Sequence, residues 1–202
     1  MTPVFDGETL DVWEVKAGPA DIWHVEDGVI VCEGGGHPIG WLGTNKTYRD
    51  FVMSCEWKIV ENGNSGVFLR VKDDPEQNPA YDSIEIQVCD DSGSDYLELT
   101  PKEISGGIYA VVGASKRMYR GPERWNRYVI SCVGPNVTLE YNGEKVFDID
   151  IRKYHKPFRW FNRMRPPLMS RPREGYIALQ THGSKVWFRN IEIQEIVTDR
   201  RK

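Results

Sequence analysis

Apolar and polar residues alternate along most of this chain with a period of two, the spacing of a strand whose successive side chains point to opposite faces. Phe51, Met53, Cys55, Trp57 and Ile59 alternate with Val52, Ser54, Glu56 and Lys58, which predicts one long strand. Val67, Leu69 and Val71 share one phase, opposite Gly66, Phe68 and Arg70. Ile84, Ile86 and Val88 share another, opposite Glu85 and Gln87. Trp23 to Val31 reads as a hairpin turning at Asp27-Gly28. Val137 to Phe147 reads as a second, where Asn142-Gly143 suits the positive dihedrals of a type I′ turn. Tyr128 to Val133, Tyr176 to Gln180 and Lys185 to Ile196 are further strands. No segment sustains a helical period, and no repeat, low-complexity tract or linker interrupts the pattern. The expectation is one all-β domain over residues 1–202, an antiparallel sandwich or jelly roll.

Composition narrows the function. The 202 residues include seven Trp and nine Tyr, enough for a substantial core. A domain of this size buries roughly 70% of its unfolded surface. A net charge of −4 argues against a dedicated nucleic-acid binder. No apolar run approaches the roughly 20 residues of a membrane span, so no membrane partner is expected. The N-terminal segment lacks a signal-peptide pattern. The sequence as written therefore reads as cytoplasmic, or as periplasmic or secreted if a leader has been removed. Cys32, Cys55, Cys89 and Cys132 show no metal-ligand or CxxC spacing and are expected to be reduced.

The candidate chemistry gathers on few residues. Glu85 and Gln87 share a polar strand face, and the short connection between their strand and that of Arg70 suggests adjacent strands. Arg70 beside Glu85 would hold the carboxylate ionised and oriented. His182 follows a strand at a Gly turn and suits an acid, base or ligand role. Asn64, in Asn62-Gly-Asn-Ser-Gly66, either closes a turn or meets a ligand hydroxyl. Ile151 to Arg173 carries eight Lys or Arg, no acid and four Pro among aromatics. It reads as a proline-braced loop with its charges in water, or as a lid over a site. Gly34-Gly35-Gly36 and Gly113 to Lys116 do not match a phosphate loop.

These segments resemble the bacterial 3-keto-disaccharide hydrolase domain family nearly end to end. The resemblance is carried by Phe5-Asp-Gly-Glu-Thr-Leu10, Trp23 to Ile30, Gly40-Trp-Leu-Gly-Thr44 and Tyr48-Arg-Asp-Phe51. It continues through Asn62 to Arg70, Ile84-Glu-Ile-Gln87, Gly107-Ile-Tyr109, Trp125-Asn126, Tyr141-Asn-Gly143, Leu179-Gln-Thr-His-Gly183 and Phe188-Arg-Asn-Ile191. It implies a concanavalin A-like jelly-roll sandwich of two curved antiparallel sheets with a carbohydrate site on the concave face. By position, Glu85, Gln87, Arg70 and His182 would line that face, with Tyr109 and Asn64 at its rim. Thr181 stands where the family commonly carries an acid, and the basic segment around Trp160 is unusually long.

The residues limit the reaction. Ordinary glycosidases use two carboxylates, whereas the polar face of this strand offers Glu85 alone. A 3-keto sugar needs one base, because the ketone acidifies the hydrogen on C2 and the C1 substituent then leaves by elimination. The expected enzyme is therefore a glycoside hydrolase or lyase acting on 3-keto-glycosides or disaccharides. Glu85 and His182 would be catalytic, and Arg70, Gln87, Asn64 and Tyr109 would bind substrate. No motif demands a cofactor, and a divalent cation is one way to hold the enolate. The alternatives are a non-catalytic carbohydrate-binding module of lectin type, or a protein-interaction sandwich using the basic loop.

Overall fold

The computed structural model describes residues 1–35, 39–72, 82–94, 98–160 and 163–197. His37, Tyr81 and Phe161, and the side chain of Trp160, lie outside the described residues. In chain order the strands are β1 (Thr2–Pro3), β2 (Trp13–Ala17), β3 (Trp23–Glu26), β4 (Val29–Cys32) and β5 (Gly40–Thr44). There follow β6 (Phe51–Ile59), β7 (Asn64–Val71), β8 (Ile84–Cys89), β9 (Asn126–Val133) and β10 (Asn136–Tyr141). The last five are β11 (Glu144–Asp150), β12 (Phe158–Trp160), β13 (Arg163–Arg165), β14 (Tyr176–Thr181) and β15 (Val186–Glu195).

Two antiparallel sheets form the jelly-roll sandwich. The larger runs β11-β10-β9-β6-β15-β4-β3, with β1 paired to β15; the smaller runs β2-β5-β14-β7-β8. Both expected hairpins form. Asp27 and Gly28 turn β3 into β4, and Asn142 and Gly143 turn β10 into β11, all four at positive φ. Non-glycine residues resist that region, Asn and Asp least of all.

The alternation in β6 buries Phe51, Met53, Cys55, Trp57 and Ile59 completely against Val67 and Leu69 of β7 and Ile84, Ile86 and Val88 of β8. Trp57, Tyr128 and Tyr141 pack as an aromatic cluster, with the Tyr128 and Tyr141 rings edge to face at 4.8 Å. Tyr128 also donates across the core to the Gln87 carbonyl, at 2.6 Å. The larger sheet thereby anchors the strand that carries Glu85. All four cysteines are free and buried.

The basic segment departs from expectation. It folds as a one-turn 3₁₀ helix (Ile151–Lys153), the β12–β13 hairpin and a second turn (Leu168–Ser170). Arg152, Lys153, Lys156 and Arg159 are exposed as expected, whereas Arg165 and Arg171 are buried, and Arg171 Nη1 lies 3.8 Å from Asp82 Oδ1. Leu168 and Tyr154 pack on the main core and pull the segment down onto the sandwich.

Candidate functional site

The register of the smaller sheet builds the site. Gly66 lies opposite Gln87 and Phe68 opposite Glu85 across β7 and β8. Leu179 pairs with Val67 on the other side of β7, and Gln180 with Trp41 across β14 and β5. Trp41, Gln180, Gly66 and Gln87 therefore form one row across the face turned away from the core. Ala178, Phe68 and Glu85 form the next, with Trp41, Phe68 and Ala178 packed as a second, smaller apolar cluster. At the end of β14, Gly183 takes φ +83° and turns the chain, leaving His182 exposed. Ser184 Oγ accepts from the Asn64 amide at 3.1 Å, which ties this turn to the start of β7.

β8 is the edge strand, and residues 104–112 cover it. Gln87 N–H donates to the Gly107 carbonyl at 3.0 Å, and Tyr109 N–H donates to the Glu85 carbonyl at 3.0 Å. Tyr109 is held beside Glu85 by that backbone pairing. The result is a cavity of about 40 Å³ lined by Ile39, Asn64, Glu85, Gln87, Tyr109, Gln180 and His182. A single water needs about 10–15 Å³ of such space, so the cavity has room to receive the polar edge of a sugar.

Glu85 sits at its centre. A Cβ on Gly66 would stand 2.7 Å from Glu85 Oε1, so the bare glycine is what lets the carboxyl lie over β7. Burial pushes the Glu85 carboxyl up to about 8, and a hydrogen bond from the Gln180 side chain offsets only part of that rise. Burial thus favours the protonated acid over the anion near neutral pH. Gln180 is itself buried, and among the described residues its Oε1 has no hydrogen-bond partner. That leaves an acceptor beside the acid.

Five of the six residues singled out in the sequence line this cavity: Glu85, Gln87, His182, Asn64 and Tyr109. Arg70 does not. Its backbone takes φ +57°, the β7–β14 register slips beside it between Tyr176 and Ala178, and the alternation inverts at this bulge. The side chain is fully buried between the sheets. Its Nε donates to the Arg49 carbonyl (2.9 Å), Nη1 to the Gly134 carbonyl (3.2 Å) and Nη2 to Asp50 Oδ1 (3.3 Å). The expectation that Arg70 keeps Glu85 ionised is corrected accordingly: among the described residues no Lys or Arg lines the cavity, and burial is the main influence on the state of Glu85. Gln180 and Ile39 are the lining residues that the sequence reading missed. Gln180 stood one residue short of Thr181 and two from His182, on the phase of His182, and that shared phase was the available signal.

Among the described residues no group of three or more His, Cys, Asp or Glu side chains converges as a metal site would need. Glu85 and His182 are the two such side chains lining the cavity.

The fold agrees with what the chain resembles among known proteins. The model of the 3-keto-alpha-glucoside-1,2-lyase-like domain matches residues 1–194. The chain belongs to this family. A curated relative, the 3-keto-disaccharide hydrolase of Bacteroides thetaiotaomicron, is 25% identical over 95% of this chain and 77% of its own length. A crystal structure of a candidate glycosyl hydrolase from Parabacteroides distasonis superposes with a TM-score of 0.82 at 28% identity, covering 96% of this chain and 98% of that one. The carbohydrate-binding module CBM66 of Bacillus subtilis shares the fold alone, at a TM-score of 0.59 and 12% identity, over 91% and 96% of the two chains. Family membership and these relatives make the chain a carbohydrate-active domain of glycosyl hydrolase type.

Proposed function

We propose that this protein cleaves the C1 substituent from 3-keto-glycosides by elimination, with Glu85 as the base. The observation that carries the reading is the one carboxyl that lines the cavity among the described residues, buried above Gly66 and pushed up to about 8. A proton-transfer group works best with its pKa near the operating pH. One carboxyl is also too few for the two-acid glycosidase mechanisms. The 3-keto group acidifies the C2 hydrogen; ionised Glu85 takes that proton and the electron pair enters the enolate. The side-chain amides of Asn64 and Gln87 and the Tyr109 side chain line the cavity and would serve as donors to the enolate oxygen. Collapse of the enolate breaks the bond from C1 to the departing oxygen, and His182, exposed at the mouth, supplies that oxygen with a proton. Water then adds across the new C1–C2 double bond: its hydroxyl bonds to C1 as its proton passes to His182, and Glu85 returns its proton to C2, which completes a net hydrolysis and restores both groups. A cavity of about 40 Å³ fits this division: the C2–C3 edge enters and the departing group stays outside.

The test is turnover of a chromogenic glucoside and of its 3-keto derivative by wild type and Glu85→Gln. Cleavage of the keto form alone, lost in the variant, is the expected result. Full activity in Glu85→Gln refutes the assignment. Binding of both sugars without cleavage makes the domain a carbohydrate-binding module instead.

A further inference from the structure

The basic residues of the 151–173 segment are not absorbed by this site, and neither is Arg70. Several of them converge elsewhere. Arg49, Asp50, Gly134, Pro135, Arg152 and Arg173 line a solvent-open cavity of about 280 Å³, near the lower end of the range for ligand pockets. Arg70 stands behind it, fully buried. Through the Arg49 and Gly134 carbonyls it fixes both walls. The carbonyl of Gly134 takes a second guanidinium, Arg173 Nη1, at 2.9 Å.

The carboxylates nearby are largely committed. Asp50, the acid in the lining, is almost fully buried and accepts from Arg70 Nη2 (3.3 Å) and the Gly134 amide (2.7 Å). Asp150 is gripped by the Arg152 fork, with Nη2 to Oδ2 at 2.6 Å and Nε to both oxygens at 3.0 Å. Glu174 meets Arg49 at 3.8 Å and also accepts from the Thr47 hydroxyl. Four guanidinium groups thus face three carboxylates. A guanidinium has five N–H donors in a planar fork. Arg173 spends one on Gly134, and among the described residues Arg49 meets its carboxylate only at long range. At Arg70 burial disfavours the charged form most; Cys132 and Asp50 favour it, and the neighbouring Arg173 and Arg49 charges oppose it to a smaller extent.

We propose that this cavity is a second ligand site, for a phosphate or sulfate group, free or esterified to a sugar, gripped by Arg49 and Arg173. Both groups present several acceptor oxygens that suit a bidentate arginine. Arg70 fixes the backbone on both walls, so the ordering left to binding is that of the arginine side chains themselves. The volume leaves room for a monosaccharide beside the anionic group. The site is independent of the Glu85 cavity, and the proposal stands or falls apart from the assigned reaction.

Calorimetric titration and thermal shift with inorganic phosphate, sodium sulfate and glucose 6-phosphate test it, against sodium chloride at matched ionic strength. Saturable one-to-one binding is expected, weakened at least tenfold in both Arg49→Gln and Arg173→Gln and unchanged in Glu85→Gln. Should Arg173→Gln fold poorly because Gly134 loses a partner, Arg49→Gln decides, since its ion pair is long and exposed. Glucose 6-phosphate binding tenfold tighter than phosphate would mark a sugar-borne group, and equal affinities the free ion. A response no larger than that to chloride overturns the proposal. So does binding that survives both arginine variants or disappears in Glu85→Gln.

Discussion

Gly66→Ala is the sharpest probe of the site, because it adds one methyl group at a known place. The glycine is at ordinary strand dihedrals, so alanine can adopt its backbone. The new Cβ would stand 2.7 Å from Glu85 Oε1, 3.1 Å from Cγ and 3.3 Å from Cδ. Relief of these contacts to normal van der Waals separation moves the carboxyl by about 0.5–1 Å. It also strains the hydrogen bond from Gln180, worth about 1 kcal/mol. A misplacement near 1 Å is worth up to about a hundredfold in rate. The expected outcome is a 10- to 100-fold loss of kcat/KM on a 3-keto-glucoside, with the circular dichroism spectrum kept and Tm lowered by a few degrees. The assay is steady-state cleavage paired with thermal melts of the same preparation. Activity within twofold of wild type would mean that the Glu85 position over Gly66 is irrelevant to catalysis, and the reasoning would fail.

Other perturbations read different parts of the argument. The plot of kcat/KM against pH should rise to a plateau through about 8, the region where Glu85 ionises; Gln180→Leu, which removes the one bond favouring the anion, should move that limb alkaline. Glu85 also makes stability pH-dependent: its folded pKa lies above the ordinary 4.5, so its contribution is full below that value and is lost as pH rises through about 8. Urea unfolding between pH 5 and pH 9 should show a decline of up to about 4 kcal/mol that Glu85→Gln abolishes, and equal slopes in the two proteins would contradict the burial argument. Arg70→Met should cost about 3–5 kcal/mol by leaving Asp50 buried without its cation, while kcat per folded molecule stays at the wild-type level; a selective loss of kcat at unchanged Tm would put Arg70 back in the catalytic cavity.

The sandwich was legible wherever burial is one-sided. In β6 the apolar phase runs unbroken from Phe51 to Ile59, and each of its residues is fully buried. A one-residue slip there would turn all five to the other face. The hairpins at Asp27-Gly28 and Asn142-Gly143 were equally plain, because positive φ at both turn positions selects those residue types. The basic segment was not legible. Its charge suggested solvation, yet Leu168 and Tyr154 seat it on the core, and Arg171 is buried alongside Asp82, a contact that joins residues far apart in sequence.

The site divides on the same physical line. Glu85 and Gln87 were placed correctly because β8 keeps strict alternation, with Ile84, Ile86 and Val88 in the core. Arg70 was misplaced because counting by twos fails past a bulge, and nothing in Val67-Phe-Leu-Arg70 announces a residue at φ +57°. The error also reverses an electrostatic inference. An arginine beside Glu85 would have made it an ordinary ionised carboxylate. Without that cation, the same side chain is a buried acid pushed up to about 8. Gln180 matters for a related reason: it comes from β14, across β7 from Glu85, and only the pairing register reveals the contact. Strand periodicity assigns a residue to a face; which neighbours it meets on that face, and hence its protonation, depends on bulges and register.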